Sequence, residues 1–219
     1  MKKLDICIVG YGTAGQTAAI SLSRDGHRVT VFERVANPGP VGAGFLLQPT
    51  GMSVLRQLGL HGQALQLGRR IVRLYGENAS GRPVMDMRYA TLSKDFFGLG
   101  LQRGAIFQIL DDAWNESRDL RDGVCIVHAD VETGYVTDSN GVRHGPFDLV
   151  VAADGAGSRL RNDLPSTRYD KAYPWGALWC LLPESGWPYF NELRQRYRKC
   201  SQMAGLLPVG RRLDDDRDM

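Results

Sequence analysis

Three glycines near the start of the chain have the spacing that suits contact with a pyrophosphate. They are Gly10, Gly12 and Gly15, in the stretch GYGTAG. Gly10 allows a tight turn, Gly12 lets the backbone approach a phosphate, and Gly15 lets a helix pack closely on the preceding strand. Thr13 and Ala14 would present backbone N–H groups at the positive end of that helix. Such spacings also arise by chance in a chain with 26 glycines, so the surrounding elements must decide.

The elements on either side of the glycines form the strand–helix–strand unit that this chemistry needs. Residues 4–9 are apolar and largely β-branched, which favours a central buried strand of a parallel sheet. The helix that follows ends at Gly26. Residues 28–32 (RVTVF) predict a second strand, which places Glu33 where an acid can bind ribose hydroxyls. A solvated strand-end acid is the alternative for Glu33, and Arg34 either covers an adenine or points into water.

Three later segments contain further candidate residues. A loop rich in glycine and proline contains Gly44 and leads into a short helix that begins at Pro49. Arg103 stands at the start of another amphipathic helix, where the helix dipole does not favour a cation, so a compensating anion or good solvation is expected. Residues 149–153 predict a buried strand that ends at Asp154, on the sheet edge where ligands bind. Asp-Gly is also a common turn pair, which is the alternative for Asp154.

In this order and over residues 4–161, these segments resemble the flavin-dependent aromatic hydroxylases, the single-component monooxygenases of the para-hydroxybenzoate and salicylate hydroxylase type. The likeness rests on GYGTAG, on ER at the second strand end, on GAGFLLQPTGMSVLRQLGL, on the arginine before its helix and on DLVVAADGAGSRLR. It implies a resident FAD and a visiting NADH or NADPH. The cofactor-binding residues that it implies are Gly10, Gly12, Thr13, Ala14, Gly15, Glu33, Arg34, Gly44, Arg103 and Asp154.

The resemblance also implies a fold and a reaction. The expected fold is α/β, a Rossmann-like FAD/NAD(P)-binding domain at residues 1–71 and 98–171 with an inserted, incomplete β-rich substrate domain at 72–97 and 172–219. The expected reaction uses NAD(P)H and O2 to hydroxylate a small aromatic substrate. Catalytic side chains stay unassigned, because none of the four histidines has a context that indicates a general base.

The likeness stops before the family's second flavin motif, a Gly-Asp followed by a proline. We therefore expect these residues to be an N-terminal piece of a full enzyme. Two alternatives stay open. One is an FAD-dependent reductase or dehydrogenase of the same fold, and the other is a truncated nucleotide-binding module without turnover.

Composition limits the partners that we expect. The net charge of +3 is small and the acids and bases are interspersed, so no basic stripe for nucleic acid is predicted. The first apolar run is too short for a signal peptide or a membrane span, which indicates a cytoplasmic protein. Four scattered cysteines lack metal-ligand spacing, so no metal is predicted, and buried reduced thiols are expected at Cys7 and Cys125. A homodimer stays open.

Weaker patterns lie in the rest of the chain. Residues 71–75 predict a strand followed by a turn, as in a hairpin. Residues 175–182 predict an aromatic-rich strand, whose large side chains pack in the core or face a substrate ring. The run RQRYRK at 194–199 predicts a solvated helix face, with attraction of a nicotinamide phosphate as the alternative. Residues 125–148 look one hairpin strand short of the family pattern.

Overall fold

The structure is a computed structural model that describes residues 2–39, 42–114, 118–163, 169, 171–212 and 215–219. It divides into two compact units, one formed by Met1–Gly39 with Leu110–Ala177 and the other by Pro40–Ile109 with Leu178–Met219. The elements in chain order are β1 (Asp5–Val9), α1 (Thr13–Arg24), β2 (Arg28–Phe32), β3 (Gly44–Leu47), α2 (Pro49–Gln57), α3 (His61–Leu67), β4 (Arg69–Ile71), β5 (Arg73–Asn78), β6 (Pro83–Arg88), β7 (Gly98–Gln102), α4 (Arg103–Ala113), β8 (Asp119–Arg121), β9 (Ile126–Asp130), β10 (Tyr135–Asp138), β11 (Arg143–His144), β12 (Leu149–Ala152), β13 (Glu192–Arg198), β14 (Gln202–Leu206), β15 (Arg211–Arg212) and β16 (Asp215–Asp218).

The first unit is built on a four-stranded parallel sheet in the order β12-β1-β2-β8. The apolar residues of β1 place it inside the unit, where Ile6, Cys7 and Ile8 are buried. Helix α1 connects β1 to its parallel neighbour β2, as a crossover between parallel strands requires. The predicted α/β class with a Rossmann-like sheet is confirmed.

A second sheet in the first unit is antiparallel, in the order β11-β10-β9. It occupies the stretch 125–148 that looked one strand short in the sequence. Val136 and Ile126 of this sheet form a core cluster with Phe32 and Cys7 of the parallel sheet and with Leu160. The two sheets of this unit therefore share one apolar core.

Strand β12 is present where it was predicted, but its burial is not as expected. It pairs only with β1 within the described part of the sheet, and the side chain of Leu149 is 43% exposed. The apolar run LVVA reads like a central strand because sequence pattern does not distinguish a central position from an edge. Strand order is set by long-range pairing, and here it places β12 at the edge.

The second unit contains the antiparallel sheet β3-β7-β4, the mixed sheet β14-β13-β5-β6 and the small pair β15-β16. The predicted hairpin is confirmed as β5 and β6, which pair antiparallel. The strand predicted at 71–75 is present but is interrupted at Val72. The chain leaves one sheet at Ile71 and enters another at Arg73, so the stretch forms two strands instead of one.

Two further sequence predictions in this region are wrong. Residues 194–199 lie largely in β13, which pairs with β5 and β14, and not in a helix. The guanidinium of Arg194 lies over the rings of Tyr75 and Tyr189, so this charged side chain of the strand packs against two aromatic rings. Residues 175–182 form no regular element, and the side chain of Trp175 is 57% exposed, so the predicted strand and its core packing are wrong.

The cysteines are all free thiols, in different environments. Cys7 is fully buried in β1, and this burial raises the pKa of its thiol to about 12. Cys125 is half-buried, while Cys180 and Cys200 are exposed. Full burial is therefore confirmed for Cys7, and Cys125 is only partly covered.

The helices of the described residues are short. None of them is both long and apolar enough to cross a membrane. The boundary between the two units falls within α4, and the predicted division of the chain into a cofactor domain and a substrate domain stays a prediction.

Candidate functional site

The carboxyl ends of three parallel strands meet at one edge of the first unit's sheet. Val9 is in register with Phe32 on one side and with Ala152 on the other. Beyond this register, the N–H of Gly10 donates to the Phe32 carbonyl at 2.7 Å, and the N–H of Ala153 donates to the Val9 carbonyl at 2.8 Å. The three strand ends thus converge on one edge, and in open α/β sheets this edge is where ligands bind.

Two of the three motif glycines are required by the packing of the protein itself. Gly10 has a φ of +103°, and a Cβ there would lie 2.5 Å from the carbonyl oxygen of Ala153 and 3.0 Å from the Cα of Asp154. A Cβ on Gly15 would lie 1.9 Å from the carbonyl oxygen of Gly10. Gly10 thus lets the loop pass beside Asp154, and Gly15 lets α1 approach the end of β1.

The third glycine is required by nothing in the described residues. Gly12 has an ordinary φ of −75°, and a Cβ there would have no atom within 4 Å. Gly12, Thr13 and Ala14 are exposed, and no side chain in the described part of the chain caps the start of α1. The first amides of a helix have no intrahelical acceptor. Open space in front of uncapped amides fits a phosphate of a dinucleotide.

The carboxylate of Glu33 lies beside this loop. Its Oε2 accepts the N–H of Tyr11 at 2.7 Å, and its Oε1 accepts the N–H of Val35 at 2.9 Å. A carboxylate has about four acceptor positions, so each oxygen can accept another hydrogen bond. The half-buried Glu33 can therefore hold the loop and still bind ribose hydroxyls, whereas the neighbouring Arg34 is exposed.

Asp154 shapes the loop that follows β12. Its Oδ2 accepts the N–H of Arg159 at 3.2 Å, across a turn in which Gly155 has a φ of +82°. The alternative role of Asp154, as a residue of an ordinary turn, is thus present in the structure. Because the residue also lies against Gly10, its carboxylate is at the same sheet edge as the glycine loop.

The side chain of Tyr11 is not among the site residues predicted from the sequence. It is 1% exposed, and its hydroxyl donates to Oδ1 of Asp111 at 2.6 Å. The ring lies 5.8 Å from that of Trp114, between centroids, and a guanidinium nitrogen of Arg118 lies 3.0 Å from the same oxygen of Asp111. Burial and then the hydrogen bond to Asp111 raise the pKa of Tyr11. One sequence contains no local signal for a pair that is 100 residues apart.

The other two predicted site residues belong to the second unit. Arg103 is the first residue of α4, and its N–H donates to the carbonyl of Ala43 at 3.2 Å. Its side chain is exposed, and within the described residues it has no ion pair. It packs along Gly42, where a Cβ would lie 2.8 Å from its Cδ. Gly44 lies against Val209, whose Cγ1 would be 2.2 Å from an added Cβ.

Gly44 also borders a cavity of about 550 Å³ in the second unit. Trp187 is one of the wall residues, and its indole nitrogen is buried and, among the described residues, has no hydrogen-bond acceptor. A buried donor without an acceptor is costly. The wall is mostly apolar, and its members include Ala43, Leu178, Trp179, Leu181, Leu182, Pro183, Leu206, Leu207, Pro208, Val209 and Met219.

The comparison with known families matches this chain to the model described as "FAD binding domain" over residues 3–192. The match includes residues of both units and all ten predicted cofactor residues. It therefore includes the glycine loop, Glu33 and Asp154 at the sheet edge.

Curated relatives carry monooxygenase names. The chain is 33% identical over 183 residues to the "FAD-dependent monooxygenase opaC" of Aspergillus ustus, with 78% of this chain and 37% of that protein covered. It is 28% identical over 179 residues to the "Kynurenine 3-monooxygenase" of Christiangramia forsetii, with 74% of this chain and 38% of that protein covered. The chain thus spans less than half the length of these relatives.

A solved structure shares the fold over the whole chain. The tetrameric form of 2-methyl-3-hydroxypyridine-5-carboxylic acid oxygenase superposes with a TM-score of 0.77 at 22% identity, with 100% of this chain and 57% of that one covered. The resemblance to the N-terminal part of the FAD-dependent aromatic hydroxylases is confirmed. This chain belongs to the FAD binding domain family.

Proposed function

We propose that this chain is the FAD-binding part of a monooxygenase that uses NADH or NADPH and O2 to hydroxylate a small aromatic substrate. The observation that carries the proposal is the sheet edge of the first unit, where the carboxylate of Glu33 lies beside the loop that has open space at Gly12. Because the chain covers 37–38% of the two curated relatives named above, the activity of a whole enzyme is part of the proposal.

In this proposal the residues of the glycine loop bind the pyrophosphate of FAD. Gly12 lets the backbone approach the phosphates, and the uncapped amides of Thr13 and Ala14 donate to them. The positive end of α1 adds to the attraction for negative charge. Gly10 and Gly15 act indirectly, since they allow the loop and the helix to take up this arrangement.

The remaining predicted residues receive their roles from the family resemblance. Glu33 accepts hydrogen bonds from the adenosine ribose, and Arg34 lies beside the adenine. Arg103 contacts the pyrophosphate, Gly44 belongs to the wall beside the flavin ring, and Asp154 contributes to both FAD and reduced-nicotinamide binding. The exposed guanidinium of Arg103, without an ion pair in the described residues, supports an anionic ligand.

The cavity of the second unit supports an apolar, ring-shaped substrate. Trp179 and the leucines of its wall offer apolar contact area for such a ring. Bound FAD would supply the electron-transfer and oxygen chemistry, as cofactors do in such enzymes. The contribution of the chain is to bind the cofactor, orient the ring and exclude water.

The first test measures FAD binding to the purified chain by absorbance and flavin fluorescence. Under the proposal the chain binds FAD, and with a suitable aromatic substrate it oxidises NADH or NADPH with uptake of O2 and formation of a hydroxylated product. Arg103→Ala should weaken FAD binding. Arg82→Ala, at an exposed turn of the same unit, is the matched control and should leave binding unchanged.

The outcomes separate the three functions considered from the sequence. Substrate turnover that does not need O2 would replace the monooxygenase by a reductase or dehydrogenase. FAD binding without turnover, in this chain and in a full-length protein that contains it, would leave a nucleotide-binding module. A cytoplasmic location and a homodimeric state stay predictions.

A further inference from the structure

We propose that Tyr11 is a positioning residue for nucleotide recognition, because its buried phenol, held by Asp111, fixes the direction of the backbone N–H that orients Glu33. This inference rests on the proposed binding of an adenosine ribose at Glu33. It adds a second pair of residues, Tyr11 and Asp111, to a site that the glycines and Glu33 define.

The side chain of Tyr11 is anchored inside the first unit. Its hydroxyl donates to Asp111 at 2.6 Å, and Asp111 is itself neutralised by Arg118 at 3.0 Å. The guanidinium of Arg118 also lies 5.4 Å from the centre of the Tyr11 ring. A hydrogen bond to a carboxylate is stronger than one between neutral groups, and burial of the ring excludes competing water.

The backbone of Tyr11 is tied to the opposite side of the site. Its N–H donates to Oε2 of Glu33 at 2.7 Å, and the residue stands between Gly10 and Gly12. The glycines on both sides have no side chains to restrain the loop, which is otherwise held by the hydrogen bond from Gly10 to Phe32. The side chain of Tyr11 is bonded to Cα, and the amide hydrogen to the adjacent backbone nitrogen. The anchored ring therefore restricts the direction of the N–H bond.

The Glu33 carboxylate receives its orientation from two amides. The N–H of Val35 holds Oε1 from within the same turn, while the N–H of Tyr11 holds Oε2 from the glycine loop. Among the contacts of the described residues, that of Tyr11 ties the ribose-binding acid directly to the phosphate-binding loop. Loss of the hydrogen bond to Asp111 should therefore reduce the contribution of the ribose hydroxyls to the binding free energy more than the contribution of the phosphates.

The chain offers a matched control for a lost tyrosine hydroxyl. Tyr89 of the second unit is 3% exposed, and its hydroxyl donates to Oε1 of Gln48 at 2.6 Å. Tyr89→Phe removes a buried hydrogen bond of the same length, in a residue that has no part in the proposed ribose contact. A second variant, Asp111→Asn, keeps an oxygen that can accept from the Tyr11 phenol.

The experiment measures the dissociation constants of ADP and 2′-deoxy-ADP by calorimetry on the whole chain, for the natural protein, Tyr11→Phe, Asp111→Asn and Tyr89→Phe. The readout is the ratio of the two constants, because a general loss of stability changes both in the same proportion. The natural protein should prefer ADP, and Tyr11→Phe should reduce this preference about three- to tenfold. Asp111→Asn should keep most of the preference, and Tyr89→Phe should keep all of it.

A ratio of dissociation constants that Tyr11→Phe leaves unchanged, even if the binding of both nucleotides is weakened, would overturn the inference. A natural protein without preference for ADP would also overturn it. The proposed reaction fails separately. A chain that keeps the ADP preference and its dependence on Tyr11, but whose FAD-loaded full enzyme does not hydroxylate, would overturn the monooxygenase proposal and support the role of Tyr11.

Discussion

The backbone of Gly15 lies so close to Gly10 that a Cβ on Gly15 would be 1.9 Å from the Gly10 carbonyl oxygen. This contact sets the separation between α1 and the end of β1. The contact therefore belongs to the packing of the fold, whereas Gly12, two residues beyond Gly10, has open space before it. The glycines of this motif are thus required for different physical reasons. Substitutions can distinguish the glycines needed for packing from the one that leaves space for a ligand.

Gly15→Ala should destabilise the folded chain by about 2–3 kcal/mol, because the new methyl group meets a backbone atom that cannot move without displacing the loop. Urea unfolding followed by far-ultraviolet circular dichroism measures the change. A midpoint equal to that of the natural protein would show that α1 can shift at no cost, against the packing described for this contact.

Gly12→Ala should leave the fold intact and weaken FAD binding. Its φ suits alanine and nothing lies within 4 Å of the added Cβ, so the cost in stability should stay below about 1 kcal/mol. The methyl group would stand where the phosphates are proposed to bind, and the dissociation constant of FAD should rise at least about tenfold. Fluorescence titration measures it, and unchanged affinity in a folded variant would contradict the proposed phosphate position.

Glu33→Ala should weaken ADP binding by about 1.5–3 kcal/mol, since charge-assisted hydrogen bonds to the ribose are lost. Calorimetric titration with ADP measures the change. Glu132→Ala removes an exposed carboxylate from a turn of the same unit and should leave the affinity unchanged. Equal effects of the two substitutions would indicate that only net charge matters.

Asp138 should make the stability of the chain depend on acid pH. Its Oδ1 accepts the N–H groups of Asn140 and Val142, at 2.8 and 3.0 Å, and its Oδ2 lies 3.1 Å from Nε2 of His144. The hydrogen bond to His144 is the largest cause that lowers the pKa of Asp138 below its ordinary value of 3.8.

Because the folded state favours the ionised form of Asp138, its contribution is present above the ordinary pKa and is lost as the pH falls through the lowered one. Asp138→Asn should flatten this acid limb when urea midpoints are compared between about pH 7 and pH 3. Asp95→Asn, at an exposed loop position, is the control and should follow the natural protein. An acid limb unaltered by Asp138→Asn would assign the dependence to other carboxyls.

The local elements around the site could be predicted from the sequence because their signals are local. An apolar run, a glycine turn and a helix that ends near Gly26 occur within about twenty-five residues, and the structure has β1 and α1 there. The glycine spacing and the acid after β2 indicate a dinucleotide site even when the strand pairing is not known. The conformation of Gly10, at φ +103°, is one that the turn required.

Predictions failed where pairing partners are distant in sequence. The charged run at 194–199 has no helix signal stronger than its strand alternation, and its place in β13 depends on β5, more than a hundred residues earlier. The break at Val72 arises because two neighbouring stretches join different sheets. The exposure of Leu149 follows from strand order, which one sequence does not encode locally.

The sequence by itself determined the glycine loop, the acid at the end of β2 and the family, because these depend on residue types at short, regular spacings. Only the tertiary structure decided which motif glycines serve packing and which leaves space for a ligand. It also revealed that Tyr11 joins Glu33 to Asp111. The physical reason is that short-range conformation follows from adjacent residues, whereas burial and hydrogen-bond partners follow from contacts that folding brings together over a hundred residues.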